Sequence, residues 1–177
     1  SSLDRAINFL NATLTYGKAQ EPPPRRERLK LHAVVEEVSE QADMLSKGSV
    51  HIRNSVKPDI TVDADREQIQ RILTNLLRNA IQALSHPASR AAMSGRIGLV
   101  TIGASREVAA TQIIVEDNGP GIPPAIRESL FLAFHSADRQ GGTGLGLAIC
   151  AELVAAHGGT ISVLRTGDTG SAFAVMI

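Results

Sequence analysis

Asn75 and Asn79 stand four residues apart in the run QIQRILTNLLRNAIQAL, so on a helix both amides project from one face. Asparagine favours caps and turns, which makes two of them in a helix interior mildly costly. A neutral amide oxygen is a hard-cation ligand able to hold Mg2+ beside phosphates, and a solvated polar face is the other reading of the same spacing. Further along, Asp117 ends the β-branched run TQIIVE and opens the cluster Asp117-Asn118-Gly119-Pro120-Gly121. A second cluster, Gly141-Gly142-Thr143-Gly144-Leu145-Gly146, runs straight into the helix-forming stretch Leu147–Ala156. Glycine lets a ligand approach the backbone closely, and the free N–H groups at a helix start, aided by the helix dipole, bind phosphate. Two such clusters suggest a pocket rim, although Asn-Gly and Gly-Pro pairs also mark plain turns. There is no Gly-Lys-Ser/Thr ending, which excludes a Walker A loop, and no third glycine where a dinucleotide fingerprint needs one.

The elements that must carry these groups belong to an ordinary globular chain. Of 177 residues, 43% are hydrophobic and 20% charged, a size and composition that suit one domain plus an appendage. Eighteen basic residues balance eighteen acidic ones, so neither nucleic-acid binding nor a polybasic membrane surface is implied. The one cysteine, Cys150, falls on an apolar helix and reads as a buried structural thiol. No apolar run reaches the ~18 residues of a membrane span and no signal peptide is visible, so the chain is expected to be cytoplasmic.

Leu3, Ile7, Leu10 and Leu14 form a short heptad seam, read either as a helix packed on its own domain or as the end of a dimerisation helix. Gly17 and Pro22-Pro23-Pro24 end it, and residues 21–30 are expected to be a polar linker. Leu31–Lys47 is predicted helical, with Leu31, Val34, Val35, Val38, Ala42 and Leu45 on its apolar face. Short strands are expected at His51–Val56 and Ile60–Val62. Asp65 then caps the longest helix, with Gln68 as capping-box partner and a wide face of Ile69, Ile72, Leu73, Leu76, Leu77, Ala80, Ile81 and Leu84. Pro87–Gly95 reads as a loop, Arg96–Ala104 and Thr111–Glu116 as a strand pair. Gly158-Gly159 closes the last helix, and strands at Thr160–Leu164 and Ala172–Ile177 flank the turn Gly167–Gly170. The expected fold is an α/β sandwich with one mixed, mostly antiparallel sheet and helices on one face.

Four ordered motifs over roughly Leu31–Ile177 resemble the ATP-binding domain of sensor histidine kinases, within the wider group that includes gyrase, Hsp90 and MutL. Asn75-Leu76-Leu77-Arg78-Asn79-Ala80 resembles the N box, and Asp117-Asn118-Gly119-Pro120-Gly121 the first glycine box. Leu130-Phe131-Leu132-Ala133-Phe134 resembles the F box, Gly142-Thr143-Gly144-Leu145-Gly146-Leu147 the second glycine box, and Gly170-Ser171-Ala172-Phe173 suggests a further one. The resemblance implies that Asp117 accepts a hydrogen bond from the adenine amino group, with Gly119, Gly121 and Ile122 beside the base. It implies that Asn79 coordinates Mg2+ between the phosphates, that Arg78 contacts phosphate, and that Thr143, Gly144, Leu145, Gly146 and Leu147 meet the phosphates at the helix start. Phe131 and Phe134 would anchor a mobile lid reaching Gln140; core packing is equally compatible with those rings.

Asn75 separates two activities within that resemblance. ATP-hydrolysing relatives carry a glutamate there as general base, and an amide has no useful basicity. Transfer to a histidine needs positioning and charge stabilisation instead, because neutral imidazole is already a nucleophile. The family's acceptor histidine, normally followed by an acidic residue, is not evident: His32, His51, His86, His135 and His157 precede Ala, Ile, Pro, Ser and Gly. The chain is therefore expected to be a fragment: residues 1–20 the end of the dimerisation helix, 21–30 the linker, 31–177 the catalytic domain. Its implied partners are ATP, its own dimerisation domain in a homodimer, and a response-regulator receiver domain. The family's pattern is broken at Asp138, where a basic residue is common and only Arg139 remains, and at Gln82, where many relatives place a lysine. Two other readings share the ATP domain: a degenerate scaffold that docks a receiver protein, and a serine kinase of the anti-sigma type.

Overall fold

The computed structural model describes residues 22–46, 48–93, 95–133 and 144–177. The expected Leu3–Gly17 helix, the lid to Gln140, Phe134, Asp138, Arg139 and Thr143 lie outside the described residues.

Strand β1 (Glu27–Lys30) leads directly into helix α1 (Leu31–Ser46), followed by β2 (Val50–Asn54) and β3 (Thr61–Ala64). Helix α2 (Arg66–Ser85) is the longest element, and a short α3 (Pro87–Ala92) follows it. Strands β4 (Gly98–Arg106) and β5 (Thr111–Asp117) form a hairpin. Helix α4 (Gly146–Ala156) and the hairpin β6 (Thr160–Gly167) and β7 (Gly170–Met176) complete the described chain. The main sheet runs β2-β4-β5-β7-β6, with β2 parallel to β4 and every other pair antiparallel. Helices cover one of its faces, as the alternation of apolar residues requires. Val100, Ile102, Ile113, Val115 and Val175 are buried against the helices, while Leu99, Thr101, Gln112 and Ile114 on the opposite face are only partly covered.

Helix α2 fills the centre of the core. Ile69, Ile72, Leu73, Leu76 and Leu77 are each at most 1% exposed, so the 3.6-residue stripe faces inward from Ile69 to Leu77. Ile81, expected on that stripe, is only partly buried because it lines an open groove between α1 and α2.

Three expectations change. Glu27–Lys30, expected within the linker of residues 21–30, is a strand that pairs antiparallel with β3 in a separate two-stranded sheet, burying Leu29. The Pro87–Gly95 loop contains α3, because proline at a first helical position leaves no extra donor unpaired. The capping box is half made: Asp65 Oδ1 accepts from the Gln68 backbone N–H at 3.1 Å, but the Gln68 side chain donates to the Pro22 carbonyl at 3.0 Å.

Candidate functional site

Asp117 is the last residue of β5, and its side chain points to the helix-covered side of the sheet, where it is 6% exposed. Val100 lies opposite it on β4 and Ser171 on β7. Its Oδ1 accepts the Gly119 N–H at 2.8 Å, and the Ser171 backbone N–H is a second donor. Burial drives the carboxyl pKa above its ordinary value, and the two N–H donors offset part of that shift. An ionisable group held this way, with acceptor capacity to spare, is suited to a ligand donor.

The loop after Asp117 is shaped by close backbone approaches. A Cβ at Gly119 would lie 2.8 Å from Asp117 Oδ1 and 3.3 Å from Leu84, at the end of α2. Gly121 has φ +80°, and a Cβ there would sit 2.5 Å from the Gly167 carbonyl oxygen. On the other side, Gly170 runs so close that a Cβ would overlap the Asp117 carbonyl. The Ile122 N–H donates to Thr166 Oγ1 at 2.7 Å, and Arg127 Nε donates to the Ile122 carbonyl at 3.0 Å. Asn118 extends the sheet, its Oδ1 accepting from Leu99 N–H at 2.8 Å and its Nδ2 donating to the Ile97 carbonyl at 3.0 Å. Phe131 packs edge-on against Phe173, with ring centroids 6.4 Å apart at 86°. Phe173 pairs with Val115, which shares the helix-facing side of β5 with Asp117, so the F-box ring anchors beside the same floor.

At the other end of the site, α4 begins against α2. A Cβ on Gly146 would stand 3.8 Å from the Asn75 amide carbon and oxygen. Leu145 occupies the cap position of α4, fully buried, and its own side chain makes no capping hydrogen bond there. Gly144 takes φ +68° to turn the chain into that helix. One turn along, the Cys150 thiol donates weakly to the Ile72 carbonyl at 3.6 Å and also hydrogen-bonds the Asn75 side chain. Burial pushes that thiol's pKa up to about 12. Asn75 is thus half-buried against α4 rather than on an open polar face, and Asn79 follows one turn later, also half-buried.

Helix α2 therefore joins two clusters: Asn75 meets Gly146 and Cys150, and Leu84 meets Gly119 beside Asp117. Nine residues of helix separate Asn75 from Leu84, a rise of about 14 Å. Leu147 follows in the first turn of α4, half-buried. Arg78 is exposed, and it lines a groove between α1 and α2 with Val38, Leu45 and Ile81. Among the described residues no group of three or more His, Cys, Asp or Glu side chains could hold a metal ion. A cation here would need phosphate oxygens as co-ligands, and an amide such as Asn79 is the donor type that leaves room for them. Sequence reasoning missed Thr166 altogether. Asn118 and Ser171 were quoted only as members of glycine-rich motifs and Leu84 only as an apolar helix position, without the contacts they make here; of these Asn118 carried a local signal, as the asparagine of an Asp-Asn-Gly turn.

Residues 64–177 match the family described as histidine kinase-, DNA gyrase B- and HSP90-like ATPase, and the chain belongs to that family. It is 38% identical over 133 residues to the sensory histidine kinase/phosphatase NtrB of Salmonella typhimurium, an alignment covering 74% of this chain and 38% of that protein. The chain thus spans well under half of that relative. Among solved structures it is similar to full-length ShkA in complex with AMPPNP, with a TM-score of 0.80 and 27% identity over 99% of this chain and 36% of that one. It is also similar to histidine kinase ThkA in complex with response regulator protein TrrA, with a TM-score of 0.75 and 25% identity over 99% of this chain and 48% of that one. No helix among the described residues is long and apolar enough to cross a membrane.

Proposed function

We propose that this chain is the ATP-binding catalytic part of a cytoplasmic sensor histidine kinase, transferring the γ-phosphoryl group of ATP to a histidine on a dimerisation domain. The observation that carries the reading is the double contact of α2, with Asn75 against the start of α4 and Leu84 against the glycine loop under Asp117. A molecule with a hydrogen-bonding base at one end and phosphates at the other spans that distance.

In this reading Asp117 accepts from the adenine amino group, and Gly119, Gly121 and Ile122 form the wall beside the base. Phe131 supports the edge of the pocket through Phe173. Gly144, Leu145, Gly146 and Leu147, with Thr143 before them, present N–H groups to the phosphates. Arg78 adds a positive charge from the α1 side. Asn79 holds Mg2+, which when bound neutralises charge on the phosphates and leaves their transfer electrostatically easier. Asn75 has no base to offer water, so hydrolysis is slow. The bond from γ-phosphorus to the β,γ-bridging oxygen breaks as a bond to imidazole nitrogen forms, and ADP leaves.

Residues 1–20 are proposed as the end of the dimerisation helix through which the full-length protein pairs with a second copy. Residues 21–30 are proposed as the linker into the catalytic domain of residues 31–177, with β1 lying within the linker's second half. A response-regulator receiver domain is the proposed downstream acceptor; the ThkA complex with TrrA supports that partner. Isothermal titration with millimolar ATP and Mg2+ should show one-site binding, and no heat under those conditions overturns the proposal. A supplied dimerisation domain should then acquire acid-labile phosphate, whereas acid-stable phosphate would mark a serine kinase.

A further inference from the structure

His157 lies at the far end of α4 from the proposed phosphate site, is 3% exposed, and has both ring nitrogens engaged. Its Nδ1 lies 2.8 Å from the Leu153 carbonyl, to which it can only donate. Nε2 is then the acceptor, and it takes the backbone N–H of Asp65 at 3.1 Å, so one tautomer fits. Asp65 is the N-cap of α2. The imidazole therefore bolts the C-terminal end of α4 to the N-terminal end of α2.

The same junction receives the chain that enters the domain. The Arg26 guanidinium donates to the His157 carbonyl, the Arg25 N–H donates to Asp65 Oδ2 at 2.9 Å, and Gln68 Nε2 donates to the Pro22 carbonyl. Three segments far apart in sequence are thus tied within one cluster of hydrogen bonds. The two helices it joins run antiparallel and meet again at Asn75 and Gly146. Helices are stiff over such lengths, so a shift at one meeting point displaces the other.

From this geometry we infer that His157 is a positioning residue: it sets the axial register of α2 against α4, and thereby couples nucleotide occupancy to the chain entering at Pro22–Arg26. The inference rests on the proposed ATP site and specifies how that site communicates with whatever precedes it. Occupancy at the Asn75–Gly146 end tightens the helix pair, the junction transmits the change, and the entering segment is held more firmly.

The test uses the 177-residue chain with ATP and Mg2+, reading affinity by calorimetry and backbone hydrogen exchange by mass spectrometry. In the native protein, nucleotide should slow exchange in peptides covering residues 22–28, far from the phosphates. His157→Leu, which keeps bulk but no acceptor, should abolish that protection and weaken ATP binding about tenfold. His157→Gln, whose side-chain oxygen can replace Nε2, should restore most of both. Arg26→Ala, a change at an exposed side chain, should abolish the protection of residues 22–28 while leaving the helix pair and most of the affinity intact, which covers the case of a His157→Leu that does not fold. Binding without protection of residues 22–28, or equal behaviour of the Gln and Leu variants, overturns the inference alone. Absence of any binding overturns it together with the function it rests on.

Discussion

Asp117 holds an ionisable group where burial penalises charge, and its pKa is raised in consequence. In the proposed role Asp117 accepts from an adenine amino group, and the ionised carboxylate is the stronger acceptor. Affinity for nucleotide should therefore fall on acidification starting at a higher pH than an ordinary carboxylate near 4 would give. Asp117→Asn should remove that pH dependence and weaken ATP binding by about tenfold or more, because an amide turned the wrong way presents a donor to a donor. Calorimetry across pH 5 to 8 on both proteins, set against each other, reads the difference. Gly121 makes a second residue-scale demand. With φ +80° and the Gly167 carbonyl in the way, Gly121→Ala should lower both melting temperature and nucleotide affinity, whereas a purely structural turn would cost stability alone.

At the scale of elements, the N-terminus of α2 depends on one carboxylate. Burial raises the Asp65 pKa, but backbone N–H donors from Gln68, Arg25 and Glu67 outweigh it, and the net shift is downward. A depressed carboxyl contributes stability that is complete above its unfolded pKa near 4 and is lost as pH falls through the lower folded value. Asp65→Ala should cost about 1 kcal/mol at neutral pH, less under acid, measured by urea denaturation at both. This cap was legible in the sequence because Asp followed by an apolar period is a local signal. The turn at Gly121 and the placing of Asn75 and Asn79 on one helix were legible for the same reason, being short-range patterns. Strand β1 was not: ERLK offers one apolar residue in four, and only its pairing with β3 more than thirty positions away makes it a strand. Nor was the α3 start, where Pro87 read as a terminator and acts as a first helical residue. Thr166, which holds the Ile122 N–H from 44 residues away, and His157, which holds Asp65 from 92, have no local signature at all.

For the molecule as a whole, a single helix belongs to both the core and the proposed site. Leu76 lies between Asn75 and Arg78 and is 1% exposed, in a core that must be aliphatic because only 3% of the sequence is aromatic. Leu76→Ala should cost about 2–5 kcal/mol, a large share of the roughly 5–15 kcal/mol that holds a typical domain folded. Saturating ATP and Mg2+ should return part of that loss, about 2.7 kcal/mol at a ligand concentration of 100 Kd. A thermal scan of the variant with and without nucleotide checks both numbers. If nucleotide raised the native melting temperature but left the variant unmoved, core and site would be coupled through Leu76 more tightly than additivity allows.

Cys150 supplies the sole sulfhydryl of the sequence, sealed beneath α2 with its proton held up to about pH 12. For a spectroscopist this makes the native chain a silent background. Thiol-directed dyes should leave the folded protein untouched, so engineered handles at open positions such as Val108→Cys or Leu132→Cys would take up label alone. Such a pair brackets the domain from the tip of its β4–β5 hairpin to the turn beside Phe131, and would report changes in that distance as nucleotide comes and goes.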